Sequence, residues 1–65
     1  MASGDRYWRQ RRVQAEQQLV KARTEMVDVC RRFEGTSTDF QELNRTLGRV
    51  RAYREVIKRC DRMLR

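Results

Sequence analysis

The stretch Phe33–Leu43, FEGTSTDFQEL, constrains this chain more than any other. It joins a helix stop to a helix start, with no other breaker of comparable strength on either side. Gly35 suits the residue after a helix end, because glycine enters the left-handed conformation without a Cβ penalty and lets the last carbonyls close. Thr36, Ser37, Thr38 and Asp39 follow, short polar residues that accept hydrogen bonds from the orphan N–H groups of a new helix. Thr38 with Gln41 fits a reciprocal capping box, and Asp39 with Glu42 is a competing frame. Asp39 and Glu42 also suit the positive first turn. The sequence leaves the two frames open.

Proline is absent, and charged and hydrophobic residues each make up 38% of the 65 residues, the balance of long amphipathic helices. Ser3 or Asp5 is the expected first cap, with Met1–Gly4 a lead-in. From there to about Glu34 apolar residues fall at Trp8, Ala15, Leu19, Ala22, Met26, Val29 and Phe33. After the first gap these follow a heptad seam, with Arg12 at the seam position inside the gap. Val13, Val20 and Val27 form a second line at sevenfold spacing, read as one flank of the seam, and Cys30 widens the apolar face near the hinge. One antiparallel neighbour does not usually cover so wide a face, so a further helix is expected there, from another copy or another protein.

A second helix is expected from about Asp39 to Met63. Its stripe is Phe40, Leu43, Leu47, Val50, Tyr53, Ile57, Cys60 and Leu64, one step short of strict heptads. Gly48 interrupts it at about 1 kcal/mol relative to alanine, either as a tolerated surface residue or to admit another backbone. Helix 5–34, turn 35–38 and helix 39–63 thus predict an all-α fold: one domain over residues 1–65, an antiparallel two-helix hairpin. Chains of this size seldom gain more than about 3–5 kcal/mol from one core. Oligomerisation or partner packing is therefore expected to complete it.

The net charge of +7 is unevenly spread. Residues 5–15 carry four arginines against one acid, a net of +3; residues 49–65 carry seven bases against two acids, a net of +5; the middle is close to neutral. Folding back brings the two basic segments together at the open end. Arg6, Arg9, Arg11, Arg12, Arg54, Lys58, Arg59, Arg62 and Arg65 are the candidate contacts for nucleic acid or an acidic protein partner; the competing reading is a solvated helix surface. Tyr7 and Trp8 stand among these arginines, suited to stacking on bases or, more commonly, to anchoring a core or a partner chain. Trp8, Val13, Val20 and Val27 are the candidate protein interface.

No catalytic, cofactor or metal site is expected. There is no histidine to act as general base, no glycine-rich phosphate loop, and too few cysteines for a zinc site. Both cysteines fall on apolar stripes and are expected in the core, about 27 Å apart along the hairpin and so beyond disulfide reach. No run is apolar enough to span a bilayer. Clustering of arginine at one end argues against a membrane-surface helix. No small-molecule substrate is implied, and without a signal-like N-terminus the expected compartment is intracellular.

The segment FEGTSTDFQELNRTLGRVRAYRE resembles one in gpW-like small phage head–tail joining proteins, where a first helix leads through a glycine-containing segment to Ser/Thr-x-x-Asp-Leu and a terminal helix. The matching positions are Phe33, Gly35, Thr36, Asp39, Phe40 and Leu43, in about a third of the chain. The resemblance implies a non-enzymatic virion protein, ringed near the portal and bound to neighbouring copies and structural proteins close to packaged DNA. That family carries a β-hairpin between its helices, and this chain has no room for a full one. Strands at the hinge would match the family; a bare turn would match a plain helical hairpin.

Overall fold

The computed structural model describes residues 2–65 and consists of two helices, α1 (Ala2–Arg32) and α2 (Ser37–Met63), packed along each other as an antiparallel hairpin. The α1 helix begins at Ala2, so Ser3 and Asp5 lie inside it and neither caps it; Met1 lies outside the described residues. Asp5 still serves the first turn, as Arg31 and Arg32 serve the last, each with the sign the helix dipole favours.

The turn is as short as expected but lies two residues earlier than 35–38. Residues 33–36 make the whole connection, and no strand occurs among the described residues. Phe33 N–H reaches back to the Cys30 carbonyl at 3.3 Å, tightening the end of α1. Gly35 then reverses the chain at φ +85°, where an L side chain would be strained.

Neither capping frame read from the sequence is used. Thr36 is the N-cap: its Oγ1 accepts from Asp39 N–H at 3.1 Å, and Asp39 Oδ2 accepts in return from Thr36 N–H at 3.3 Å. The same Oδ2 accepts from Glu34 N–H at 2.8 Å. The Thr36 frame wins because it places one carboxylate over two orphan donors of the turn, which a box starting at Thr38 leaves unpaired. Phe33 and Phe40 close the outside of the turn edge-to-face, with ring centroids 5.0 Å apart, as a variant of the hydrophobic staple.

The seam is more regular than the sequence suggests. Thr46, not Leu47, is buried on α2; Leu47 is half-exposed. With Thr46 in the stripe, Leu43, Thr46, Val50, Tyr53, Ile57, Cys60 and Leu64 alternate steps of three and four throughout, the repeat that lets two helices stay in register. The Thr46 hydroxyl is satisfied within its own helix, donating to the Glu42 and Leu43 carbonyls at 3.1 and 3.0 Å. Its burial therefore leaves no unpaired polar atom. Leu19, Ala22 and Val50 form the centre of the core, with Met26, Tyr53 and Ile57 packed around it.

This core is thin. The Cα envelope measures 51 × 14 × 13 Å with a radius of gyration of 15.0 Å, against about 11 Å for a compact globule of equal length. Of the two cysteines expected inside, Cys60 is fully buried but Cys30 is exposed. By helical geometry Cys30 lies about 60° off the seam of α1, past the reach of its one neighbour.

Two expectations follow. Two backbone N–H groups hold the Asp39 carboxyl below its ordinary value, the Glu34 bond contributing most. A depressed carboxyl adds stability above the unfolded-state value near 3.9 and loses it as the pH falls through the lower folded-state value. Asp39→Asn should therefore melt earlier than the native chain at pH 7, and the gap should close at pH 2; an equal gap at both pH values would exclude the charged cap. A Cβ at Gly48 would meet nothing within 4 Å, so Gly48→Ala should raise stability by about 1 kcal/mol in thermal melts followed by circular dichroism. A fall would mean that another backbone approaches there.

Candidate anion-binding surface and outer apolar line

Ion pairs sort the arginines into those that serve the fold and those left for a partner. Arg12 occupies its seam position by turning its guanidinium outward, where Nε meets Asp61 of α2 at 2.6 Å and Nη1 pairs with Glu16. The hydrogen bond and charge of Asp61, then the charge of Glu16, raise the Arg12 pKa above its already high value. Toward the hinge, Arg49 meets Glu25 at 2.8 Å and Arg32 lies 3.9 Å from Glu42. Such exposed pairs add little energy each. All three cross between the helices and join residues at matching heights, so they reinforce one register.

Of the nine basic candidates, Arg12 is thus a fold residue, and Lys58 makes a loose 3.5 Å contact with Glu55 in its own helix. Arg6, Arg9, Arg11, Arg54, Arg59, Arg62 and Arg65 make no ion pair among the described residues and are exposed. The hairpin does bring the two basic segments together at its open end, as the Arg12–Asp61 contact requires. It does not place all nine on one surface. At about 100° per residue, Arg54, Lys58 and Arg62 share one side of α2, whereas Arg59 points away behind it and Arg11 lies on the opposite edge of α1. Lys58, Asp61, Arg62 and Arg65 line a common shallow depression.

Sequence reading missed Arg51 and Arg23. The steps 51, 54, 58 and 62 put Arg51 at the head of the same α2 line, a signal available from spacing alone. Arg23 comes alongside only through the register of the two helices. The groove on the other side, nearer the hinge, is lined by Glu25, Asp28 and Glu42 together with Arg32, Arg45 and Arg49, a balanced set that leaves no excess charge for an anion.

The apolar candidates divide as well. Trp8 is half-buried and sits edge-to-face with Tyr7, ring centroids 5.0 Å apart. Val13, Val20 and Val27 are 52%, 63% and 47% exposed. They are not a flank of the seam: helical geometry places their line about 140° around α1 from it, on the outer side that α2 cannot reach.

Among the described residues no three His, Cys, Asp or Glu side chains cluster at metal-binding distance, and no helix is long and apolar enough to cross a membrane. No known family, curated protein or solved structure matches the chain.

The thiols report this architecture directly. Cys30 should react with an aromatic disulfide reagent within seconds to minutes under native conditions. Cys60 should react only as fast as the hairpin opens. Two equally fast thiols would contradict the packing of α2 on α1.

Proposed function

We propose that this chain is a non-enzymatic structural adaptor, a helical hairpin that builds a larger assembly by packing the outer side of α1 against other protein chains, in the first instance copies of itself. The line Val13, Val20 and Val27 carries the proposal: three β-branched apolar side chains about half exposed or more, at the repeat that another helix can follow. The surface area agrees. The chain exposes 5445 Å², whereas a compact monomer of 7.9 kDa exposes about 4,400 Å². The excess, about 1,000 Å², is close to the roughly 800 Å² that one partner contributes to a standard interface. Charge favours an antiparallel arrangement of two copies, which holds the strongly basic open ends apart. A phage head–tail joining role is the particular setting to which the resemblance around Phe33–Leu43 leads. The turn here is bare where that family has a β-hairpin, so the proposal rests on the valine line.

A second reading, contact with nucleic acid, is favoured by one observation: the arginines of the open end remain unpaired after the fold has used Arg12, Arg32 and Arg49. An adaptor can hold protein through α1 and a polyanion through its basic end.

Sedimentation velocity tests the adaptor reading. The native chain should sediment as a dimer or larger species at tens of micromolar, and Val13→Gln/Val20→Gln/Val27→Gln should sediment as a helical monomer. A folded native monomer at those concentrations, with no partner present, would overturn self-assembly.

A further inference from the structure

We infer that nucleic acid meets this protein on one face of the hairpin rather than around its basic end, and that the contact is to the phosphate backbone of a duplex. The inference rests on the second reading above and assigns it a surface. Arg51, Arg54, Lys58 and Arg62 follow one another at steps of three, four and four along α2, so they form a nearly straight line about 16 Å long. All four are exposed. Arg65 continues the line just past the helix end, in the same depression as Lys58 and Arg62.

The Arg12–Asp61 pair shows which edge of α1 borders this line. Arg23 falls on that edge by the same helical arithmetic, and Arg9 just beyond it toward the valine line, so basic side chains border the face on both helices. Two of the carboxylates beside the line, Glu16 and Asp61, are both engaged by Arg12. The seam arginine thus offsets two of the negative charges that would repel a phosphate. Glu55 flanks the line and meets Lys58 at 3.5 Å, and Asp5 lies at the open end of the α1 edge, so the face keeps a basic excess rather than a purely basic surface.

Two features favour a polyanion over an acidic protein. A protein interface has an apolar centre with charge at its rim, yet the large apolar side chains exposed on α2 are Phe40 and Met63, both outside Arg51–Arg62. Cations recur every 4.5–6 Å along the line, a regular array that suits a regular row of phosphates; neighbouring phosphates of one strand stand about 7 Å apart, so about three lie along its length. Arginine supplies all but one of these cations and binds phosphate, as it binds carboxylate, through paired N–H donors. The rod is 14 × 13 Å between Cα atoms alone, wider than the roughly 12 Å major groove. It therefore lies against the backbone, where contacts fix position without reading sequence.

Two triple variants, each removing three unpaired arginines, separate this face from charge in general. Arg51→Gln/Arg54→Gln/Arg62→Gln lies on it; Arg11→Gln/Arg45→Gln/Arg59→Gln lies off it. Both are first checked for native helicity by circular dichroism. Binding to a fluorescein-labelled 20-base-pair duplex is followed by anisotropy from 50 to 200 mM salt. The native chain should bind two unrelated duplex sequences alike, with log K falling linearly against log salt. The on-face variant should lose about three units of that slope and at least tenfold in affinity at 50 mM; the off-face variant should keep the native slope. Equal losses in both variants would overturn the face assignment, and a strong sequence preference the backbone contact, each while leaving nucleic-acid binding in place. No duplex binding by the native chain at 50 mM salt would overturn the nucleic-acid reading itself. Polyglutamate binding as tight as duplex binding at equal charge would overturn it in favour of an acidic protein.

Discussion

The carboxylate of Asp39 is the contact on which the rest of this molecule depends. One oxygen accepts from the Glu34 and Thr36 N–H groups, while Asp39 N–H returns a bond to the Thr36 hydroxyl. With Gly35 at positive φ, these bonds turn the chain around within four residues and start α2 at a fixed angle. A longer or looser connection would let α2 slide along α1. The step from Leu43 to Leu64 would then no longer meet the seam of α1, and Arg12 would lose Asp61.

Both helices and the antiparallel hairpin were legible in the sequence because their signals are local. Gly35 followed by four short polar residues marks a reversal, and heptad spacing marks the buried stripes. What stayed hidden depends on the choice between near neighbours. Thr46 and Leu47 both suit a helix, and hydrophobicity favours Leu47; register puts the threonine inside, where its hydroxyl bonds to its own helix. Thr36 was outranked by Thr38 and Asp39 because a capping box is judged by residue type, whereas the fold selects the frame that satisfies the turn's donors. Cys30 looked like core because it is apolar and near the seam, but a single neighbouring helix covers too narrow an arc.

The candidate site was legible as charge and hidden as geometry. Counting charges located the open end. It could not show that Arg12 neutralises Glu16 and Asp61, that Arg11 and Arg59 face away, or that Arg23 joins the α2 line across the helix boundary. The same two-helix geometry explains both surfaces proposed for partners. A rod of this thickness has one buried seam and two outer sides; the valine line takes the outer side of α1, and the arginine line takes one edge of α2. Neither can be covered from within the chain.

The paired seam, the ion-pair register and the basic face all follow from the chain folding back on itself within one copy. Double electron–electron resonance tests this directly. Spin labels are placed on Gln10→Cys and Met63→Cys in a Cys30→Ser/Cys60→Ala background, diluted with unlabelled protein so that only pairs within one chain contribute. Helices packed 8–10 Å apart should give a single distance below about 25 Å, label tethers included. Opening into one continuous helix, or exchange of α2 between copies, would separate the labels by up to about 80 Å, and a distribution centred there would contradict the hairpin.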